Sequence, residues 1–255
     1  MKKWPWLIVL PFFQCCSAPG LHYTIANTHS HNDYEQPIPF WTAYNAQFGS
    51  IEADIFLIDG RLMVAHDRKE LERGLTLEEY YVKPLATQVM KHHGHPYGDT
   101  NRRLQILIDI KADSTAALDA LVALLGKYPD LTSTASLTWV ISGNRPDPSL
   151  YASYPPYIAF DGILLHEYTP AALSRITMMS DDLQTYTHWD GTGGIPAADR
   201  RRIVAAIAWA HDLHQPVRFW DAPDFPQAWH ELMQLQVDFI NTDHIRQLAE
   251  YLSKQ

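Results

Sequence analysis

The stretch Glu52-Ala-Asp-Ile-Phe-Leu-Ile-Asp-Gly-Arg-Leu-Met-Val-Ala-His66-Asp67 decides how the rest of the chain is read. Side chains of a strand alternate between its two faces, so Glu52 and Asp54 share one side while Ile51, Ala53 and Ile55 share the other. Two carboxylates on one face of an otherwise apolar strand are costly to bury unless they are paired or bind a cation. Asp59-Gly60 supplies turn chemistry, and Leu62-Met-Val-Ala65 runs back as a second strand that delivers His66. Upstream, His29-Ser-His-Asn-Asp-Tyr34 sets another histidine, His31, at the end of an earlier strand. Two histidines and paired carboxylates are the parts needed for metal-assisted phosphodiester cleavage.

Outward from this segment, strand-like and helix-like stretches alternate along the chain. Strands are expected over 23–28, 50–56, 104–111, 137–142, 157–165, 183–188, 216–220 and 237–242. Helices are expected over 40–48, 75–91, 114–128, 170–178, 196–213, 224–235 and 243–252. Ser114 and Asp243 read as N-caps, and Pro196 suits a first helical turn. Eight strands alternating with helices give an α/β chain of the (β/α)8 TIM-barrel class, in one domain over residues 21–255. A doubly wound open sheet is the alternative, against which stands the lack of a Gly-rich loop after the first strand.

The first twenty residues read as a segment apart from the fold. Lys2-Lys3 make a positive start, residues 4–13 an apolar run, and Cys16-Ser-Ala-Pro-Gly20 a small-residue exit. That is the pattern of a signal peptide, so the protein is expected to be exported, with lipid attachment at the adjacent cysteines as the alternative. Both cysteines, Cys15 and Cys16, fall in this leader, which leaves residues 21–255 without a thiol for disulfide, metal or nucleophilic roles. The formal charge of -9 falls to -11 without Lys2 and Lys3, so nucleic acid is not an expected partner. A small or lipid-borne anionic substrate is, with transient contact to a membrane surface; no protein partner is evident.

Asp109 and Lys111 repeat the same-face logic, because Ile106, Ile108 and Ile110 take the other side. Glu52, Asp54 and Asp109, converging from neighbouring strands, form an all-oxygen set suited to Ca²⁺ or Mg²⁺. A buried network pairing Asp109 with Lys111, and Glu52 with an arginine, is the alternative. His29 shares a face with His31 and rivals it as a base.

His31-Asn32-x-Tyr34, Glu52-x-Asp54, Asp59-Gly60, His66-Asp67, Asp109-x-Lys111 and Thr242-Asp243 together resemble a known superfamily. It is that of phosphatidylinositol-specific phospholipases C and glycerophosphodiester phosphodiesterases. The resemblance implies a TIM barrel, one divalent metal and histidine acid–base chemistry. His31 would be the base that activates a hydroxyl of the substrate, and His66 the acid that protonates the leaving alcohol. Glu52, Asp54 and Asp109 would hold the metal, and the His-Asn pair, closer to the metal-dependent phospholipases C, adds Asn32. Lys111 and Arg145 would hold phosphate oxygens, and Trp220 would pack against an apolar or sugar part of the substrate.

Two further readings stay open. His29-x-His31, His166, His188 and Asp243 mimic the zinc ligands of amidohydrolase barrels. A non-catalytic barrel that binds lipid or carbohydrate is the other.

Overall fold

Strand β2 (Ser50–Ile58) alternates as its sequence dictates, and it is the spine of the barrel. A computed structural model describes residues 21–254. The signal peptide expected over 1–20 lies outside the described residues. Strand β1 is Thr28–Ser30, and β3 (Arg61–Val64) folds back antiparallel on β2. The others are β4 (Leu104–Ile110), β5 (Leu137–Gly143), β6 (Ile158–Ile163), β7 (Ile176–Asp182), β8 (Val217–Trp220) and β9 (Ile240–Thr242). Apart from β3 they run parallel in the order β8-β7-β6-β5-β4-β2-β1-β9. A bridge from Arg218 to Phe239 brings the two ends together, so an eight-stranded barrel is all but closed.

Helices cover the outside: α1 (Trp41–Asn45), α2 (Lys83–Lys91), α3 (Ser114–Leu125), α4 (Pro129–Ser133), α5 (Pro170–Leu173), α6 (Ala197–Asp212), α7 (Pro226–Gln234) and α8 (Ile245–Leu252). The core lies between strand and helix layers. Ile106, Ile108 and Ile110 of β4 are fully buried in one cluster with Leu118, Leu121 and Leu125 of α3. The inward face is different. Ser50, Glu52 and Asp54 of β2 are buried and polar, where barrels of this class usually carry branched apolar side chains.

Six expectations need correction. No strand forms over 183–188, and the helix from Pro170 stops at Leu173; between them β7 holds Ile176–Asp182. Arg175 explains the break, because its guanidinium is fixed on the carbonyls of Tyr154, Pro155 and Ile158. Asp182 then caps a tight turn at Leu183–Thr185, which removes the Tyr186-Thr187 pair from any strand. At the N-terminus, Thr24 caps a turn over Ile25–Asn27, and the strand starts only at Thr28. Ser114 opens α3 instead of capping it. Asp243 stands ahead of α8, whose cap position is His244, and Pro196 takes the cap position of α6. Among the described residues, no helix is long and apolar enough to cross a membrane.

Candidate active site

The C-terminal ends of the parallel strands surround one cleft of about 450 Å³. It is lined by His31, Asn32, Glu52, His66, Asp109 and Lys111 on the side of β1–β4, and by Arg145 and Trp220 opposite. Asp54 lies just beneath, fully buried. The residues singled out in the sequence are thus brought together; His166 and His188 are not among the lining residues.

Local structure explains the placement. The β2–β3 hairpin closes through Asp59 (φ 49°) and Gly60 (φ 76°), the left-handed pair of a type I′ turn. This twist returns β3 alongside β2 and carries His66 back toward Asp54. Asp67 then caps the next turn, accepting from the backbone N–H of Lys69 at 2.7 Å, while the His66 N–H donates to Glu70. Gly143 (φ 66°) ends β5 against Asp109: a Cβ there would run into the Asp109 carboxylate and the Ile110 carbonyl.

Glu52, Asp54 and Asp109 offer oxygens that all lie within 4.8 Å of one another. One oxygen of Asp54, Oδ1, is buried without a partner. Burial first, then the neighbouring carboxylate charges, push the Asp54 and Asp109 carboxyls above their ordinary range. Burial alone would raise Glu52 as well, but the Arg218 guanidinium and the hydrogen bond from His29 hold it well below. Crowded, all-oxygen and short of positive charge, the trio fits a hard divalent cation. Lys111 Nζ pairs with Asp54 at 2.7 Å and Asp109 at 3.3 Å, and Arg218 pairs with Glu52 at 2.9 Å. The ion-pair network weighed as the alternative therefore exists, within the walls of the cleft.

The first-strand histidines are sharply distinguished. His29 is fully buried, with Nδ1 2.7 Å from Ser50 Oγ and Nε2 2.6 Å from Glu52. Burial, then the Arg218 charge, lowers its pKa to about 4, so it stays neutral. His31 faces the cleft with Nδ1 2.8 Å from the Asp243 carboxylate. Burial works against its charged form, but the Asp243 hydrogen bond and the charges of Glu52 and Asp243 outweigh it and raise its pKa. His66 Nδ1 lies 3.1 Å from Asp54. His29 and His31 thus have separate partners, and among the described residues the group that could hold a metal is Glu52, Asp54 and Asp109.

Asn32 is left-handed (φ 43°), and its amide oxygen faces the Tyr34 hydroxyl at 2.9 Å; the same hydroxyl stands 2.8 Å from Asp54. Sequence reasoning gave Tyr34, Asp161, Ser180 and Arg218 no role, although each touches the site. Arg218 looked like one charge in a short apolar strand, and its partner Glu52 lies 166 residues away. Arg145 donates to the Asp161 carbonyl and borders the cleft.

Residues 22–132 match the family described as AIM6-like phosphodiesterase domain, and residues 216–245 match the glycerophosphoryl diester phosphodiesterase family. Altered inheritance of mitochondria protein 6 of Kluyveromyces lactis is 26% identical over 304 residues, 89% of this chain and 72% of that protein. Its homolog in Arthroderma benhamiae is 25% identical over 88% of this chain and 82% of its own. Among solved structures, a glycerophosphodiester phosphodiesterase from Parabacteroides distasonis superposes with a TM-score of 0.56 at 14% identity. The match covers 89% of this chain and 97% of that one. One from Agrobacterium tumefaciens gives 0.50 at 15% identity, covering 89% and 97%. The first matched segment carries both cleft histidines and the carboxylate trio; the second runs through β8 and β9, where the barrel closes. The chain is thus similar over residues 22–132 to AIM6-like phosphodiesterase domains, and its fold is the TIM barrel of the glycerophosphodiester phosphodiesterase structures.

Proposed function

We propose that the protein cleaves a phosphodiester of the glycerophosphodiester or phospholipid type by histidine acid–base catalysis. The observation that carries this reading is the Asp243–His31 pair opening on the same cleft as His66 and the carboxylate trio. With Nδ1 held by Asp243, His31 presents Nε2 to substrate as a base. It takes the proton of a substrate hydroxyl as that oxygen forms its bond to phosphorus. The bond from phosphorus to the leaving alcohol breaks, and His66 gives that alcohol its proton. Lys111 and Arg145 hold the non-bridging phosphate oxygens, the arginine with its planar fork.

Glu52, Asp54 and Asp109 would hold Ca²⁺ or Mg²⁺, with Asn32 joining them if its amide turns from Tyr34. When bound, the ion supplies charge neutralisation at the phosphoryl oxygens. Tyr34 keeps Asp54 and Asn32 side by side, and His29 with Arg218 keeps Glu52 ionised and oriented. Trp220 offers an exposed indole at the rim for the apolar or sugar part of the substrate. Export through the N-terminal segment would bring this chemistry to substrates outside the compartment of synthesis.

Phosphorus NMR of the protein with glycerophosphodiesters, phosphatidylinositol and lysolipids tests the reading. Cleavage that stops with chelator and returns with Ca²⁺ or Mg²⁺ is expected. No cleavage of any of these in either cation refutes it.

A further inference from the structure

The loop from β1 to α1 carries Asn32, Tyr34 and Gln36, and each touches the site or its supports. The Tyr34 hydroxyl reaches Asn32 and Asp54, and the Gln36 amide donates to the Asp243 carbonyl at 2.9 Å. Asp33, between Asn32 and Tyr34, is fully buried. Its carboxylate accepts from neutral donors: Ser30 Oγ at 2.9 Å, the Tyr81 hydroxyl at 3.0 Å and the Phe40 N–H. Ser30 is the last residue of β1 and Phe40 the last before α1, so one carboxylate ties the entry of the loop to its exit. Tyr81 fastens both to the turn ahead of α2.

The exit of the loop is strained. Phe40 has φ 64° and ψ -54°, and across it the Trp41 N–H donates to the Pro39 carbonyl at 2.7 Å. That is a γ-turn of the unfavourable hand, on a residue other than glycine. Strained backbone persists only where its surroundings hold it, and here Asp33 takes the N–H of the strained residue itself. Fold stability alone does not account for a charge at this place. A buried carboxylate facing neutral donors is unfavourable, and an apolar side chain of similar volume serves a core at least as well. What the carboxylate adds is directed bonds to both ends of the loop.

We propose that Asp33 is a positioning residue: it holds the loop in the strained course that sets Tyr34 and Asn32 against Asp54, and so shapes the carboxylate trio for its cation. The role rests on the cation site of the phosphodiesterase reading above. Asp33 touches neither cation nor substrate; it works through Tyr34.

Calorimetric titration of the whole protein with Ca²⁺ and with Mg²⁺, which needs no turnover, tests this, and thermal melts report whether each variant folds. Asp33→Ala is expected to weaken cation binding per folded molecule by on the order of 10–100-fold, the range for groups that orient metal ligands. Asp33→Asn should recover most of the loss, since its amide oxygen can accept from Phe40 and its NH2 can donate to Ser30. Because Asp33 works through Tyr34, the double variant Asp33→Ala/Tyr34→Phe should bind no more weakly than the worse of the two single variants. If Asp33→Ala does not fold, Tyr81→Phe, which removes one donor, decides in its place, with several-fold weaker binding expected. Unchanged affinity in the deciding variant, losses that add in the double variant, or an Asn variant as weak as the Ala variant would make Asp33 a structural residue only and overturn the proposal. So would the absence of cation binding in the wild-type protein. Cation binding that responds to Asp33 in a protein that cleaves no phosphodiester upholds the role of Asp33 and overturns only the phosphodiesterase reading.

Discussion

Asp243 and His31 sit 212 residues apart in the chain, and their contact decides which nitrogen of the imidazole is left to work. The carboxylate fixes Nδ1–H and raises the pKa of the ring, so the unprotonated base is fully available only above its ordinary range. His31→Ala is expected to lower turnover by on the order of 10²–10⁴-fold with little change in melting temperature. Asp243→Ala should cost less, and it should shift the acidic limb of the pH–rate profile to lower pH, because the hydrogen bond that raises the pKa is gone. A profile unmoved by Asp243→Ala would detach Asp243 from the base. His66→Ala should be rescued in part by a p-nitrophenol leaving group, which needs no proton; absence of rescue would remove His66 as the acid. Gly143 makes a different demand: any side chain there meets the carboxylate of Asp109, so its use is local clearance.

At the scale of elements, the end of β4 sets two opposite charges side by side, and the two readings of Asp109 and Lys111 separate there. If Asp109 ligates a cation and Lys111 holds phosphate, Asp109→Asn weakens cation affinity while Lys111→Met spares it and lowers turnover. If the two merely neutralise each other, either change destabilises the fold by a few kcal/mol and leaves a common defect. Calorimetric titration with Ca²⁺ or Mg²⁺, beside thermal melts, distinguishes these; equal destabilisation with unchanged cation affinity would take both residues out of the site. The elements carrying this chemistry were the ones legible in the sequence. The alternation of β2 and β4 and the Asp59-Gly60 turn are local signals, and local signals set strands, faces and hairpins. The β7 segment was not legible, since Ile-Thr-Met-Met suits helix and strand alike and a tertiary contact of Arg175 settles the choice. Nor were the partners of Glu52 and His31: Arg218 and Asp243 meet them only once the barrel closes, and no short-range periodicity records that event.

Across the whole molecule, ionisable groups buried inside the barrel tie stability to pH and to cations. His29 takes up a proton below 6.5 in the unfolded chain but only below about 4 when folded. Its contribution is therefore complete above 6.5 and falls by about 3 kcal/mol as pH drops toward 4. Asp54 and Asp109 act with the opposite sign. Their folded carboxyls titrate above the ordinary range, so acid relieves the cost of burying them and neutral pH imposes it in full. A bound cation relieves the same cost by supplying positive charge where acid supplies a proton. Excess Ca²⁺ or Mg²⁺, at about 100 times its Kd, should thus stabilise the protein near neutral pH by about 2.7 kcal/mol. For a chain of this size that is a rise of roughly 5–10 °C in melting temperature. The gain should shrink at about pH 5, where protons compete for the carboxylates, and Asp54→Asn should abolish most of it at either pH. Melting curves with and without cation at the two pH values measure this directly. A melting temperature indifferent to both cations near neutral pH would mean that Arg218 and Lys111 alone balance the trio, and the metal assignment would fall.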